Sequence, residues 1–456
     1  MVIRLPQQCC TRRSRAPINI RPNLLEQNAI AGRLNQKRFT CRYYPVKVLA
    51  QRSQSSALSD LHPDVANCSG WRYLAGSWIR GDKTVAKERA MMKENDIPTP
   101  ALVIDLAAVR RNLETMQAYA TRHNFNVRPH IKTHKTLRMA RLQLEMGSCG
   151  LTIAKIGEAR LMAQVCDDLF LAYPAVDPFR TAALAELARK HTMRVEVDSA
   201  YGIDRVAEAA QAAGSTVGVL VDLDTGMHRT GLQDPQQTVE LARKVDAAAG
   251  LRLDGLFTYQ GHIRGSDEQM TRQADDVAEL IQAALDLWKE NGLEAKIVSG
   301  GSTPSAFVMH HVPQLTEVRP GSYIYYDWGN AYNGYCKLED CAARIVATVV
   351  SNAVPGKVVL DCGNKTLAMD RLPGASADSG GHGHVVEYPD ALVDNLTEEH
   401  GRVDITKCDR APKLGERVHV IPNHVCVCVN LQNAVWLKDE AGDCERVAVD
   451  ARGLLS

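Results

Sequence analysis

The chain has 456 residues, with 54 Lys and Arg against 53 Asp and Glu, and this near-balance averages two unlike parts. Residues 1–59 hold eleven basic residues and a single acid, Glu26, which leaves 43 basic against 52 acidic groups in the remainder. An acidic body is a poor match to a phosphate backbone and argues against a nucleic-acid partner. No run approaches the ~18 apolar residues that a bilayer-spanning helix needs, so no membrane segment is expected. Apolar residues make up 45%, the ordinary globular value, and the length allows two or three domains. Thirteen Cys, an odd number without framework spacing, point to a reducing compartment rather than a disulfide scaffold.

Residues 1–60 are Arg-rich, carry several Ser and begin Met1-Val2-Ile3-Arg4-Leu5. That is the composition of a transit peptide to a chloroplast or mitochondrion, or else of a disordered basic extension on a cytoplasmic protein. Residues 61–95 read as a linker. From 96 to 330 short β-rich runs alternate with amphipathic helical ones. The strands expected are Asn126–His130, Gly150–Ala154, Leu169–Tyr173, Met193–Val197, Thr216–Asp222, Leu253–Tyr259, Lys296–Ser299 and Leu315–Arg319. Helical spacing covers Gly157–Val165, Pro178–Lys190, Asp204–Ala213, Asp234–Ala249 and Gln269–Asn291. Eight β-α alternations predict an α/β fold, a (β/α)8 TIM-type barrel. An open doubly wound sheet would need a Gly-rich turn after strand one, where the sequence reads Arg128-Pro129-His130-Ile131-Lys132-Thr133-His134-Lys135. Residues 335–456 predict an antiparallel β domain with strands at Ile345–Val350, Lys357–Asp361, Arg417–Ile421, Cys426–Leu431 and Arg446–Ala448. The strand-like Thr99–Asp105 is expected to pair with that domain. Asp105 is placed to cap the helix that follows, and Pro373–His384 reads as a surface loop.

In such a barrel, chemistry collects at the C-terminal strand ends. Strand one delivers Lys132, and in an extended segment His130 and His134 share its face; the plain alternative is a surface lysine beside a solvated histidine pair. Strand five ends at Asp222 and leads into a Gly-flanked loop carrying Arg229. Strands seven and eight end in Gly300-Gly301-Ser302 and Gly321-Ser322, small residues that let backbone N–H groups approach an anion such as a phosphate. Near the C-terminus His424 and Cys426 alternate onto one face of the expected strand, a pair suited to a divalent metal, zinc favoured by the sulfur, with manganese or magnesium as alternatives. The plain alternative is a core strand with an inert cysteine, and Cys428 shares the same face.

These motifs, with Asp224-Thr225-Gly226-Met227-His228-Arg229-Thr230-Gly231, Arg319-Pro320-Gly321, Glu398-Glu399-His400-Gly401 and Pro422-Asn423-His424-Val425-Cys426, resemble the D-threonine aldolase and eukaryotic-type D-serine dehydratase family, whose barrel is that of the alanine racemases. The resemblance spans about residues 96–435. It implies that Lys132 holds pyridoxal 5′-phosphate as a Schiff base, a role suited to a desolvated lysine. Arg229 is implied as partner of the pyridine nitrogen, and a permanently charged guanidinium there leaves that nitrogen unprotonated and the ring a weaker electron sink. Tyr259, Gly300, Gly301, Ser302, Gly321 and Ser322 complete the cofactor set, and a metal on His424 and Cys426 would polarise the β-hydroxyl of a D-3-hydroxy-amino acid.

Two lyase reactions fit. Loss of the hydroxyl proton leads to Cα–Cβ cleavage into glycine and an aldehyde; loss of the α-proton and departure of the hydroxyl makes a dehydratase of D-serine or D-3-hydroxyaspartate type, yielding a 2-oxo acid and ammonia. Strand six ends Thr258-Tyr259-Gln260-Gly261-His262, closer to the aldolase pattern, and His262 is the candidate base; the His-x-Cys pair is closer to the dehydratases. A third reading, a non-catalytic protein of pyridoxal phosphate homeostasis, would consist of the barrel alone. Related barrels complete their sites across a dimer, so a homodimer is expected.

Overall fold

The computed structural model describes residues 91–372 and 380–456. The basic prefix read as a transit peptide, most of the 61–95 linker and residues 373–379 of the expected loop lie outside them. No described helix is long and apolar enough to cross a membrane.

After β1 (Met91–Lys93) and β2 (Ala101–Asp105), Asp105 caps α1 (Leu106–Arg122), its Oδ1 accepting from the amides of Ala107 and Ala108 at 2.9 and 3.0 Å. The barrel then runs through β3 (Asn126–Val127), α2 (Leu137–Glu145), β4 (Leu151–Ile153), α3 (Ile156–Met162), β5 (Asp168–Leu171), α4 (Pro178–Leu187), β6 (Thr192–Val197) and α5 (Ala200–Ala213). It continues with β7 (Val217–Asp222), α6 (Pro235–Ala247), β8 (Leu251–Phe257), α7 (Asp267–Glu290), β9 (Ile297–Gly300) and β10 (Glu317–Val318). Asp177 and Asp234 cap helices that open on proline, and Ser266 and Gln269 form a capping box, so the helix starts are written locally.

The eight parallel strands follow the order β3-β10-β9-β8-β7-β6-β5-β4. The ring shuts where His130, beyond the end of β3, bridges to Thr152 of β4. Strand one is shorter than its sequence pattern, Asn126 and Val127 pairing with β10, and the residues after it bond to both neighbours: the Arg128 and His130 amides to Val318 O and Pro320 O, and the Thr152 amide to Pro129 O. There Arg128 is held by Glu317 at 2.8 Å and by Asp168. Asp168 also takes Arg194, and Arg194 takes Asp254, tying five strands together by charge. Higher in the barrel, Phe170, Leu220 and Phe257 fill the interior, and Arg319 stacks on Phe257 at 4.1 Å.

After α8 (Trp328–Tyr332) the chain forms β11 (Ala343–Ser351), β12 (Lys357–Leu360), α9 (Asn364–Leu367), β13 (His384–Val385), β14 (Leu392–Leu396), β15 (Gly401–Asp404), β16 (Arg417–Ile421), α10 (Val425–Leu431), β17 (Ala434–Lys438) and β18 (Asp443–Ala448). Strand β2 lies in the middle of this sheet, antiparallel to β11 and parallel to β17; every other pairing in the sheet is antiparallel. The expected strand Cys426–Leu431 is instead α10. Its alternating Val and Cys read as β, yet Val425, Cys428 and Val429 are the buried residues, the spacing of a helix face, and packing overrides the local preference.

Two predictions follow from the charges. Arg128→Met leaves Glu317, 3% exposed, without its ion-pair partner, so stability falls by about 3–5 kcal/mol, measurable as a lower urea midpoint. On β16, His419 sits between Glu94 at 2.7 Å and Glu387 at 2.5 Å, and these hydrogen bonds raise its pKa to about 9 against burial. The raised value makes this contribution complete below the ordinary 6.5 and lost as pH rises through 9. Thermal midpoints of wild type and His419→Gln are expected to differ most at pH 6 and to converge by pH ~9.5.

Candidate active site

Strand one hands the chain to a turn over residues 131–134, closed by the Lys135 N–H donating to Ile131 O at 2.9 Å, with Lys135 at a φ of +54°. His130, Lys132 and His134 therefore do not share one extended face. His134 turns inward, its Nε2 bonded to Gln143 at 3.1 Å, and burial lowers its pKa to about 4. His130 accepts the Lys132 N–H at 3.3 Å, and burial, then the Lys132 charge, keep it neutral. Lys135 is spent on Glu158 at 2.6 Å, both buried. Lys132 is thus the lysine of this segment with an uncommitted ammonium, and it lines a cavity of about 840 Å³ at the C-terminal ends of the barrel strands.

The same wall carries Arg229, Tyr259, Ser302, Gly321, Ser322, His424 and Cys426. Arg229 lies 4.4 Å over the Tyr259 ring. Thr303 Oγ1 accepts from the amides of Gly321 and Tyr323 at 3.1 and 3.2 Å, which sets the Gly321-Ser322 turn beside Ser302. Gly300 and Gly301 stand behind this wall. A Cβ on Gly300 would meet Leu315 at 2.8 Å and Gln260 at 2.9 Å, and the Gly301 amide is bonded to Gln260, so both serve close packing. His262 is also off the wall: it lines a neighbouring cavity of about 400 Å³ with Asp224 and His228, its Nδ1 buried without a partner. Burial lowers its pKa.

Two wall residues were given no role in the sequence reading, although Arg319 stood within one of its motifs. Arg319 is buried, donating to Ser299 Oγ and Thr258 O, and burial lowers its pKa to about 10, still cationic at neutral pH. Glu196 stands alone as an acid in the apolar end of β6. The signal for both was a charged residue within a barrel strand end, where an apolar layer is expected.

His424 and Cys426 reach the cavity through the start of α10 rather than along a strand. Asp327 Oδ2, 1% exposed on its side chain, accepts from His424 Nδ1 and from the Val425 amide, each at 3.1 Å. Cys426 Sγ lies 3.1 Å from Thr133 Oγ1, next to Lys132. The Cys426 charge foremost, and Asp327 with it, raise the His424 pKa to about 11. Burial pushes the Cys426 thiol up, and the His424 cation and its hydrogen bond outweigh it, so the thiol titrates below its ordinary range. The two form an imidazolium–thiolate pair whose deprotonated state offers one nitrogen and one sulfur to a metal. Among the described residues no third His, Cys, Asp or Glu completes a metal cluster, so a cation here would take its other ligands from water and substrate.

Residues 104–327 match the alanine racemase N-terminal domain, and residues 342–437 match a putative serine dehydratase domain. A D-threonine aldolase from Arthrobacter sp. is 32% identical over 348 residues, 74% of this chain and 88% of the relative. The solved D-threonine aldolase from Filomicrobium marinum is 30% identical with a TM-score of 0.74, covering 82% of this chain and 100% of its own. A D-threo-3-hydroxyaspartate dehydratase from Delftia sp. is 30% identical over 72% of this chain and 91% of its own. Solved forms of that dehydratase activity superpose at a TM-score of 0.73 with 26% identity, covering 78% of this chain and 96–98% of theirs; they include a His-to-Ala variant and, two positions on, a Cys-to-Ala variant in metal-free form.

The charge state of Cys426 is directly measurable. Iodoacetamide at pH 7 is expected to modify Cys426 ahead of Cys149, whose thiol burial pushes up to about 12, and His424→Ala is expected to slow that labelling about tenfold or more by removing the cation that favours the thiolate.

Proposed function

Because this chain belongs to the family of alanine racemase-fold lyases that holds D-threonine aldolases and D-serine dehydratases, we propose that it is a pyridoxal phosphate- and metal-dependent D-threonine aldolase, cleaving D-3-hydroxy-amino acids to glycine and an aldehyde. One observation carries the reading: the uncommitted Lys132 and the His424–Cys426 pair, drawn from opposite ends of the chain, open onto one cavity.

The residues present fit the cofactor. The cavity volume lies within the range of cofactor sites, a free amine stands at its wall, and the Gly321-Ser322 turn beside Ser302 leaves room for an anion. Bound there, pyridoxal phosphate supplies the electron sink that stabilises charge at Cα. Lys132 would hold it covalently. Arg229 and Arg319 are the guanidinium groups available to the ring nitrogen and to the substrate α-carboxylate, and neither can pass a proton to them. Arg319 is fixed by its bonds to Ser299 and Thr258, whereas Arg229 rests only on the face of Tyr259. His424 and Cys426 would hold a divalent cation, zinc in the first instance, that lends Lewis acidity to the β-hydroxyl. Asp327 orients His424 through Nδ1, as a carboxylate orients a ligating imidazole. His262 is neutral, the state that a base for the hydroxyl proton requires; from the neighbouring cavity it acts through a water or after a local shift.

The His-x-Cys pair supports a second reading, because the dehydratase variants at a histidine and a cysteine two positions apart repeat its spacing. In that reading the chain eliminates water from a D-3-hydroxy-amino acid and yields a 2-oxo acid. Purified protein given D-threonine is expected to yield glycine and acetaldehyde, by chromatography of the products. Pyruvate from D-serine, with no glycine from D-threonine, would instead establish the dehydratase. Lys132→Ala is expected to remove the visible absorbance of bound cofactor. A chelator is expected to abolish turnover while leaving that absorbance in place, and His424→Ala to do the same.

A further inference from the structure

Below the two arginines the barrel interior holds a pair of acids. Glu196 on β6 stands opposite Leu220 on β7 in the parallel register, and Asp222, two residues beyond Leu220, faces the same interior. Glu196 is 1% and Asp222 2% exposed, Glu196 lies on the cavity wall, and the two side chains are within hydrogen-bonding contact. Two ionised carboxylates in contact present acceptors only, with no donor between them. Glu196 Oε2 and Asp222 Oδ2 are both buried and reached by no other donor. The groups facing the pair are Arg319 and Arg229, the Asp198 carboxylate and the Thr230 side chain. Arg319 has given hydrogen bonds to Ser299 and Thr258, so it acts on the acids by charge.

The loop that carries Arg229 closes directly on this pair. Three residues after Arg229 the Leu232 amide donates to the Asp222 backbone carbonyl at 2.9 Å, and the Asp224 amide donates to Leu232 O at 2.9 Å. Gly231, at a φ of +97°, packs so tightly that a Cβ there would lie 2.8 Å from Asp222 Oδ1, and its amide reaches Asp198 at 3.4 Å.

We propose that Glu196 and Asp222 share one proton and together act as a positioning pair for Arg229. Glu196 carries the proton and donates to Asp222. Asp222 stays ionised, and Gly231 packed against its Oδ1 fixes the turn on which Arg229 sits. Burial acts in the same direction, raising the Glu196 pKa far above the carboxylate range, with the Asp222 charge adding to it. One negative charge then faces two guanidinium groups, which keeps Arg229 on the cavity side of Tyr259. Two negative charges would draw it down between the strands, and none would leave its turn without an anchor. The consequence for the cofactor rests on the function proposed above; the shared proton does not.

The test is infrared spectroscopy of the full chain, with and without added pyridoxal phosphate, read at the carbonyl stretch of a protonated carboxylic acid. That band is expected to persist at pH 8 and to vanish in Glu196→Gln; its absence from the wild type at pH 7 would overturn the proposal. Cofactor affinity supplies the second readout. Glu196→Ala and Asp222→Asn are each expected to weaken pyridoxal phosphate binding about tenfold or more, with thermal midpoints recorded in parallel to separate misfolding. Glu196→Gln, which keeps a donor to Asp222, is expected to recover most of the loss seen in Glu196→Ala. A glutamine variant as damaged as the alanine one overturns the shared proton. A wild type that shows the acid band and binds no pyridoxal phosphate leaves the proton in place and removes the cofactor reading instead.

Discussion

The barrel closes through a short first strand bonded on both sides, and a buried cation sits at its centre. The Arg128 and His130 amides donate to Val318 O and Pro320 O on one side, Val127 O and Pro129 O accept from Cys149 and Thr152 on the other, and Arg128 is gripped by Glu317 on one side and Asp168 on the other. Such an arrangement is tolerable in a dry interior only when every charge finds its partner, so the geometry of closure has little freedom. After the last of these bonds, from the His130 amide to Pro320 O, the chain turns at once, and that turn raises Lys132 over the cavity. The next residue, Thr133, touches Cys426. Closing the ring and seating the C-terminal half against it are therefore consecutive steps along four residues of chain.

The cavity above this closure is electrically lopsided in a useful way. Lys132, Arg229 and Arg319 line it, while Asp327 is turned away to hold His424 and the two acids of the interior hold each other. Cations are thus presented and anions are internally consumed, which is the arrangement a doubly anionic cofactor and a carboxylate-bearing substrate would meet. The histidines are sorted by burial. His130 and His134 are driven neutral by desolvation, whereas His424 keeps its proton because a thiolate faces it.

Much of this was legible in the chain because it is local. Asp105, Asp177, Asp234 and Ser266 announce their helices by cap chemistry, and the period change from strand to helix counts eight units without any tertiary knowledge. Lys132 was visible from its place after strand one. Three things were not. The turn at 131–134 begins where strand one meets both of its neighbours, a tertiary event that no local pattern encodes, so the shared face of His130, Lys132 and His134 was an error of extended geometry. Residues 425–431 alternate Val and Cys and look like a strand; only the fit of Val425, Cys428 and Val429 into a core made elsewhere makes them a helix. His262 and the Gly300–Gly301 pair sit at strand ends as expected, yet a strand end supplies both a wall and what lies behind the wall, and sequence order does not distinguish them.

Strand β2 has a consequence for how the protein comes into being. It precedes the barrel in the chain but is laid down inside the sheet built from residues 343–448, flanked by β11 and β17. When the ribosome has released the barrel, the apolar residues 101–105 still lack both sheet neighbours: β11 begins at Ala343 and β17 only at Ala434. The chain is knotted together in time if not in topology: one of its first strands waits for one of its last. A fragment cut at the apparent boundary near 335 would carry an orphaned hydrophobic edge on one piece and a gap in the sheet of the other. The cavity that joins Lys132 to the His424–Cys426 pair is then the product of a single late event, and an unfinished protein holds half of its wall rather than a weak one.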